Sequence, residues 1–171
     1  MNNYLLIITL NVNGFSAPIK IHRIAECIRK HNPHICCLQE THLRTKDLHR
    51  LKVKGWKQIF QANGQDKKAG VAILISDKID FQRRAIKRDP EGHFIILKGR
   101  IHQKDINIVN IYAPNIGAPK YIKKILEGFK KDIESNTIIV GDFNTPLSKM
   151  DRSSKQNINK DIAALNNTLI I

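Results

Sequence analysis

Tyr4-Leu5-Leu6-Ile7-Ile8-Thr9-Leu10 and His34-Ile35-Cys36-Cys37-Leu38-Gln39-Glu40 are two nearly continuous apolar runs, and the segment between them decides the fold. An unbroken hydrophobic run is how a strand buried on both faces reads. Asn11-Val12-Asn13-Gly14 closes the first run with turn chemistry. Ile21, Ile24, Ala25 and Ile28 then recur at helical spacing, Arg23, Arg29 and Lys30 take the opposite face, and Pro33 stops the helix. Strand, helix, strand predicts two parallel strands joined by a crossover helix.

Working outward, the pattern changes. Trp56 to Gln61, Val71 to Ser76, His93 to Arg100 and Asp105 to Tyr112 are strand-like runs separated by short polar joints such as Asn63-Gly64 and Lys68-Ala69-Gly70. Such joints suit antiparallel hairpins. A second helix is expected between Pro119 and Ser135, with Ile122, Ile125, Leu126, Phe129 and Ile133 on one stripe. Thr137-Ile138-Ile139-Val140-Gly141-Asp142 reads as another strand, ending in an acid, and residues 159–171 read as a helix. No repeat, low-complexity tract or long linker divides the 171 residues, which at roughly 150 per domain make one domain.

Twenty-nine lysines and arginines against 15 acids leave a net charge of +14. So large an excess on one domain points to a polyanionic partner, nucleic acid first and an anionic membrane surface second. The basic residues gather in Arg44 to Lys57, Arg83 to Arg88, Lys120 to Lys131 and Lys149 to Lys160, as expected for contact with a phosphate backbone. Aromatic residues, at 6%, are too few for a binder that works by base stacking, and Trp56 reads as a core or edge anchor. The three cysteines, two of them adjacent, do not form a disulfide framework; a reducing compartment fits them better. His34-Ile35-Cys36-Cys37 alternates faces and has no second pair, which favours core packing over a zinc site. The apolar start has no positive flank and is too short to span a bilayer, so an intracellular protein without a membrane anchor is expected.

Three of the apolar strands deliver a polar residue at the C-terminal end: Asn11, Glu40, and the pair Asp142 and Asn144. Ligands of α/β sheets gather outside those strand ends. Oxygen ligands of this kind suit a hard cation such as Mg²⁺ or Mn²⁺. Singly, Asn11 and Asp142 also read as turn residues and Glu40 as a helix cap; the same feature on three strands favours a site.

The motifs Leu10-Asn11-Val12-Asn13-Gly14, Leu38-Gln39-Glu40-Thr41-His42, Asn110-Ile111-Tyr112-Ala113-Pro114-Asn115 and Gly141-Asp142-Phe143-Asn144 resemble, in that order, the endonuclease/exonuclease/phosphatase superfamily. Lys54-Gly55-Trp56, Gln61-Ala62-Asn63-Gly64, the segment Lys68 to Leu74 and Asp142 to Leu147 are most similar to the endonuclease domain of a LINE-type retrotransposon's second open reading frame. The resemblance covers nearly the whole chain. It implies an α/β (α+β) fold, the four-layer α/β sandwich of the DNase I-like type, and Mg²⁺-dependent cleavage of a DNA phosphodiester, with Mn²⁺ as a substitute. It also implies that a reverse transcriptase domain follows on the same chain, and a nuclear or cytoplasmic place of action.

Carried over residue by residue, the resemblance makes Glu40 the principal metal ligand with Asn11 beside it. Asp142 orients or activates the attacking water and shares in metal binding. Asn144 holds the scissile phosphate, Tyr112 donates a hydrogen bond to it, Asn115 assists, and Arg152 lies near DNA. The family's closing Ser-Asp-His motif has no counterpart: all seven histidines precede Asp142, and the chain finishes on Leu169-Ile170-Ile171. The expectation is therefore a single domain over residues 1–171, truncated at its C-terminus, lacking the final strands and with its activity reduced or lost. Two other readings stand beside it. One is an abasic-site endonuclease or exonuclease III-like repair nuclease; the other is a non-catalytic basic fragment that binds nucleic acid by charge.

Overall fold

The computed structural model describes residues 4–65, 67–131 and 136–144. They fall into two compact units: residues 1–112 with 136–141, and residues 113–135 with 142–171.

The first unit carries two four-stranded sheets. Strands β1 (Ile7–Asn11) and β2 (Ile35–Gln39) are parallel and connected by helix α1 (Pro18–His31), as the opening residues predict. Strands β3 (Gln58–Ala62) and β4 (Val71–Ile75) complete this sheet antiparallel, in the order β1-β2-β4-β3. The second sheet is β5 (Phe81–Arg88), β6 (Phe94–Ile101), β7 (Lys104–Tyr112) and β8 (Thr137–Asp142), in sequence order.

Pleating explains the layers. Alternate residues of a strand face opposite ways, so Ile35 and Cys37 of β2 join Ile73, Ile75, Ile95, Leu97 and Ile108 in the core between the sheets. Cys36 and Leu38 point the other way, to Ala72, Leu74 and the α1 residues Ala25 and Ile28. Central strands β2 and β4 are therefore buried on both faces. Helix α1 starts on Pro18, whose missing N–H costs nothing at that position, and ends where Asn32 turns left-handed (φ 48°). Trp56 is a core anchor, donating its indole N–H to the Pro33 carbonyl (3.1 Å).

Three expectations need correction. Strand β1 is not buried on both faces: it lies at the edge of its sheet among the described residues, and Tyr4, the first residue of the apolar run, is 64% exposed. An apolar run shows that a strand forms but not whether a neighbour covers it. Residues 83–88, read only as a basic cluster, belong to β5, a mostly exposed strand whose polar sequence hides its register on β6. A short 3-10 helix, Thr45–Arg50, also follows the Glu40 segment without an apolar stripe to announce it.

Cys36 and Cys37 are fully buried free thiols, as their place in β2 requires. Burial, with Cys27 adding, pushes the Cys36 thiol up to about 12, and burial with Cys36 adding raises Cys37 further. Since the thiolate is the reactive form, a disulfide reagent at about pH 8 is expected to label Cys27 alone in the native protein and all three thiols in denaturant. Fast native labelling of more than one thiol would contradict this packing.

Gly141 of β8 has φ 142°, and a Cβ there would overlap the backbone carbonyl of Ile111 on β7. Gly141→Ala is expected to destabilise the protein by more than about 2 kcal/mol. Gly128→Ala, where nothing lies within 4 Å, should change little. Urea unfolding of both variants checks the contrast.

The second unit contains helix α2 (Ala118–Gly128), shorter than the expected span, with Ile122, Ile125 and Leu126 buried. Phe129 caps it, and Ile133 lies outside the described residues, as do the helix expected over residues 159–171 and the basic cluster at 149–160. Among the described residues no helix is long and apolar enough to cross a membrane.

Candidate active site

At the C-terminal ends of β1 and β2, the backbone is tied down from both sides. Asn11 pairs in register with Gln39, the residue before Glu40. Beyond the strands, Val12, Gly14 and Phe15 donate their N–H groups to the carbonyls of Gln39, Glu40 and Thr41 (2.6–3.0 Å). On the other side Thr41 and His42 donate to the carbonyls of Gly70 and Ala69, at 3.1 and 2.9 Å. Within this frame Glu40 and His42 adopt left-handed φ values of 54° and 55°. Such a conformation costs a side-chain-bearing residue of order 1 kcal/mol or more, and it persists where surrounding bonds over-determine it. Asn13 is left-handed as well (φ 49°), while its N–H donates to the Asn11 Oδ1 at 2.9 Å.

The Glu40 carboxylate receives a short hydrogen bond from the Tyr112 hydroxyl, joining the end of β2 to the end of β7. Tyr112 is itself fixed. Its N–H donates to the His93 carbonyl (2.6 Å), His93 Nδ1 donates to the Tyr112 carbonyl (2.7 Å), and the two rings stack 5.5 Å apart at 8°. His93 is held in turn by the Asp89 carboxylate, which accepts its N–H at 2.8 Å. No sequence motif singles out His93; it is found only once β6 and β7 are paired.

Beneath these residues lies a buried polar pair. Gln39 Nε2 donates to Asn110 Oδ1 (2.9 Å) and to Thr9 Oγ1 (2.8 Å), and Asn110 Nδ2 donates to the carbonyls of Leu38 (3.0 Å) and Ala72 (2.9 Å). Both residues are essentially inaccessible. The pair bridges the sheets immediately before Glu40 on one strand and two residues before Tyr112 on the other.

Two glycines keep the site open. A Cβ on Gly14 would stand 2.6 Å from the His42 imidazole, and one on Gly70 would collide with Thr41 Oγ1. Both are left-handed, at φ 86° and 97°. His42, half-buried, thus packs over the β1 turn. His34 Nδ1 accepts the Leu6 N–H at 2.9 Å, on the side of core packing rather than metal binding.

The structure therefore brings Asn11, Glu40 and Tyr112 of the predicted set together in the first unit. In the second unit, Asp142 Oδ1 accepts the Asn144 N–H (3.0 Å), the Asp142 carbonyl accepts the Ala113 N–H (2.9 Å), and Asn144 Nδ2 donates to the Ala113 carbonyl (2.7 Å). Asn144, at φ 47°, is again left-handed. Asn115 is exposed, and Arg152 lies outside the described residues.

No three His, Cys, Asp or Glu side chains converge among the described residues. A closed protein cage is not what Mg²⁺ needs: it keeps several waters and is held through one or two carboxylates plus substrate phosphate. Glu40 fits that requirement. Tyr112 occupies one carboxylate oxygen, and the other has no partner among the described residues. The amide oxygen of Asn11, in register with Gln39, the residue before Glu40, is a second hard donor.

Comparison with known proteins gives the family and the fold. The chain is 29% identical over 153 residues to the "Transposon TX1 uncharacterized 149 kDa protein" of Xenopus laevis, covering 87% of this chain and 12% of that protein. It is 32% identical over 119 residues to a Dictyostelium discoideum DNA-(apurinic or apyrimidinic site) endonuclease, covering 67% of this chain and 32% of that one. The chain thus spans a third or less of each. Its fold matches the structure of an AP endonuclease from Archaeoglobus fulgidus with a TM-score of 0.68 at 19% identity, over 96% of this chain and 69% of that one. Two packed sheets, with helix α1 against the first, are thus the DNase I-like architecture that the motifs imply. A family model matches residues 8–168, from within β1 past the Asp142 segment, and with it this chain belongs to the endonuclease/exonuclease/phosphatase family.

Proposed function

We propose that the chain is a Mg²⁺-dependent DNA endonuclease domain of the retrotransposon type, which hydrolyses a phosphodiester and so nicks one strand. The observation that carries this reading is the Glu40–Tyr112 pair, set on a strained and tightly bonded backbone beside Asn11. Similarity to a transposon-encoded protein and the net charge of +14 support DNA as the substrate. The 149 kDa size of that relative leaves room for further domains; in this reading a reverse transcriptase is among them, and the protein acts in the nucleus or cytoplasm.

In this mechanism Glu40 and the Asn11 amide oxygen would hold Mg²⁺, or Mn²⁺ in its place, and the cation would supply charge neutralisation at the phosphate and at the departing 3′ oxygen. Tyr112 has a single phenolic proton, which Glu40 accepts in the structure. With that carboxylate turned to a cation, the phenol donates to a phosphate oxygen, and the stack on His93 keeps its ring in place. Asp142 would accept a hydrogen bond from the attacking water, which orients it, and would take its proton as the new bond to phosphorus forms. Asn144 and Asn115 donate amide N–H groups to the phosphate, and Arg152 contacts the DNA backbone. Preorganised donors of this kind act by stabilising developing charge.

One second reading has an observation of its own: the 32% identity to an enzyme named for apurinic or apyrimidinic sites. An intact T/A-rich duplex and the same duplex with one abasic site separate the two. Comparable Mg²⁺-dependent cutting of both is expected. Cutting confined to the abasic duplex would replace the retrotransposon reading with the repair reading, and salt-sensitive binding without cutting would leave a non-catalytic nucleic-acid-binding unit.

A further inference from the structure

Two basic clusters that are far apart in sequence, residues 44–57 and 83–88, meet in the first unit along the outer side of β3. Between the 3-10 helix and β3 lies an open groove of about 730 Å³ whose walls carry Lys52, Lys57, His49 and Arg88. Asp89 is the single acid in its lining, and that carboxylate is already engaged by the His93 N–H. Arg88 is anchored by one nitrogen only, Nε donating to the Gln61 carbonyl at 2.8 Å, and its side chain is exposed. Lys52 and Lys57 are exposed and carry no ion pair among the described residues.

The groove opens at the level of the candidate active site. Asn11, Gln39, Val71 and Ala62 form one register row across the sheet, and Asn63, the next residue on β3, lines the groove's near end. The link is physical: the space a Gly70 Cβ would fill borders both Thr41 Oγ1 and, at 3.5 Å, Asn63 Oδ1. From β2 to β3 is two strand spacings, about 10 Å. That sets the groove's near end about three nucleotides of one DNA strand from Glu40 at 3.4 Å of rise each. Lys57, next to Gln58 in the row of Ile75 and Ile35, marks its far end.

We propose that this groove is a backbone subsite, in which Arg88, at the end level with Glu40, and Lys52 and Lys57, farther along it, hold the phosphates of one DNA strand leading away from the bond at Glu40. It rests on the endonuclease reading for the position of that bond, and on its own geometry for the binding of DNA. Its chemistry is charge alone, so it takes any sequence and contributes grip rather than base recognition.

The test uses the full chain, a short intact DNA duplex and the salt dependence of its Kd. Each phosphate neutralised contributes about 0.9 to the slope of log K against log salt. Lys52→Ala/Lys57→Ala is expected to lower the slope by about 1.8, whereas Arg23→Ala/Lys30→Ala, on the exposed face of α1, should leave it as in the wild type. An unchanged slope in the Lys52/Lys57 variant, or an equal loss in both variants, overturns the subsite. Plasmid nicking by the wild type is scored separately. If nicking fails while the slope change is seen, the endonuclease reading falls and the groove stands as a DNA-binding surface. If nicking holds and the slope is unchanged, the reverse conclusion follows.

Discussion

Replacing Glu40 by Gln is expected to lower Mg²⁺-supported nicking by about 1,000-fold, equivalent to about 4 kcal/mol of lost transition-state stabilisation. Gln keeps the shape of the side chain and an oxygen that accepts the Tyr112 hydroxyl, so the hydrogen bond between β2 and β7 survives. What it removes is the negative charge that holds the cation in the proposed mechanism. The left-handed backbone at position 40 is no worse for Gln than for Glu, and melting temperatures of the two proteins should agree within a few degrees. Mg²⁺ is expected to protect the wild type against thermal unfolding and not to protect the variant. An active Glu40→Gln protein would move the chemistry elsewhere. Tyr112→Phe should lose less, because the phenol supplies one hydrogen bond while the backbone bonds to His93 remain.

Asn110→Leu should be the most destabilising of the site-supporting changes, at about 3–5 kcal/mol. The side chain has no exposed surface and satisfies three partners: Gln39, and the carbonyls of Leu38 and Ala72. Leucine fills a similar volume and bonds none of them, leaving the buried Gln39 amide with Thr9 and the Cys37 carbonyl as acceptors. Breaking one side of a buried polar pair is costlier than removing both. The double variant Gln39→Leu/Asn110→Leu is therefore expected to be more stable than the sum of the single losses predicts, by about 1 kcal/mol or more. Denaturant unfolding of the four proteins measures the coupling. Strict additivity would mean that the two amides do not act as a unit.

Much of this frame can be read from the chain, for particular reasons. The β1-α1-β2 opening is visible because apolar runs and a helical stripe alternate in the first forty residues, and β2 and β4 are so hydrophobic that both faces must be covered. Asn11, Glu40, Tyr112, Asp142 and Asn144 are visible because motifs mark them. The support beneath them is not. Gln39 and Asn110 are polar residues inside apolar strands, 71 positions apart, and only the facing of the two sheets turns them into partners. His93 behind Tyr112 depends in the same way on the pairing of β6 with β7. Strand β5 is hidden because an exposed strand needs no hydrophobic alternation, and β1 misleads because its apolar residues do not reveal that it lies at an edge. Local pattern thus reports elements and strand ends, while cross-sheet contacts, which decide how firmly Glu40 is held, come from tertiary pairing alone.

The most direct measurement is conversion of supercoiled plasmid to the open-circular form by the 171-residue chain with Mg²⁺, alongside Glu40→Gln and an EDTA control. Nicking that requires both the carboxylate and the cation is the predicted result. Nicking that persists in EDTA or in the Glu40→Gln protein, or none at all from a folded chain that binds DNA, would contradict a metal-dependent endonuclease centred on Glu40.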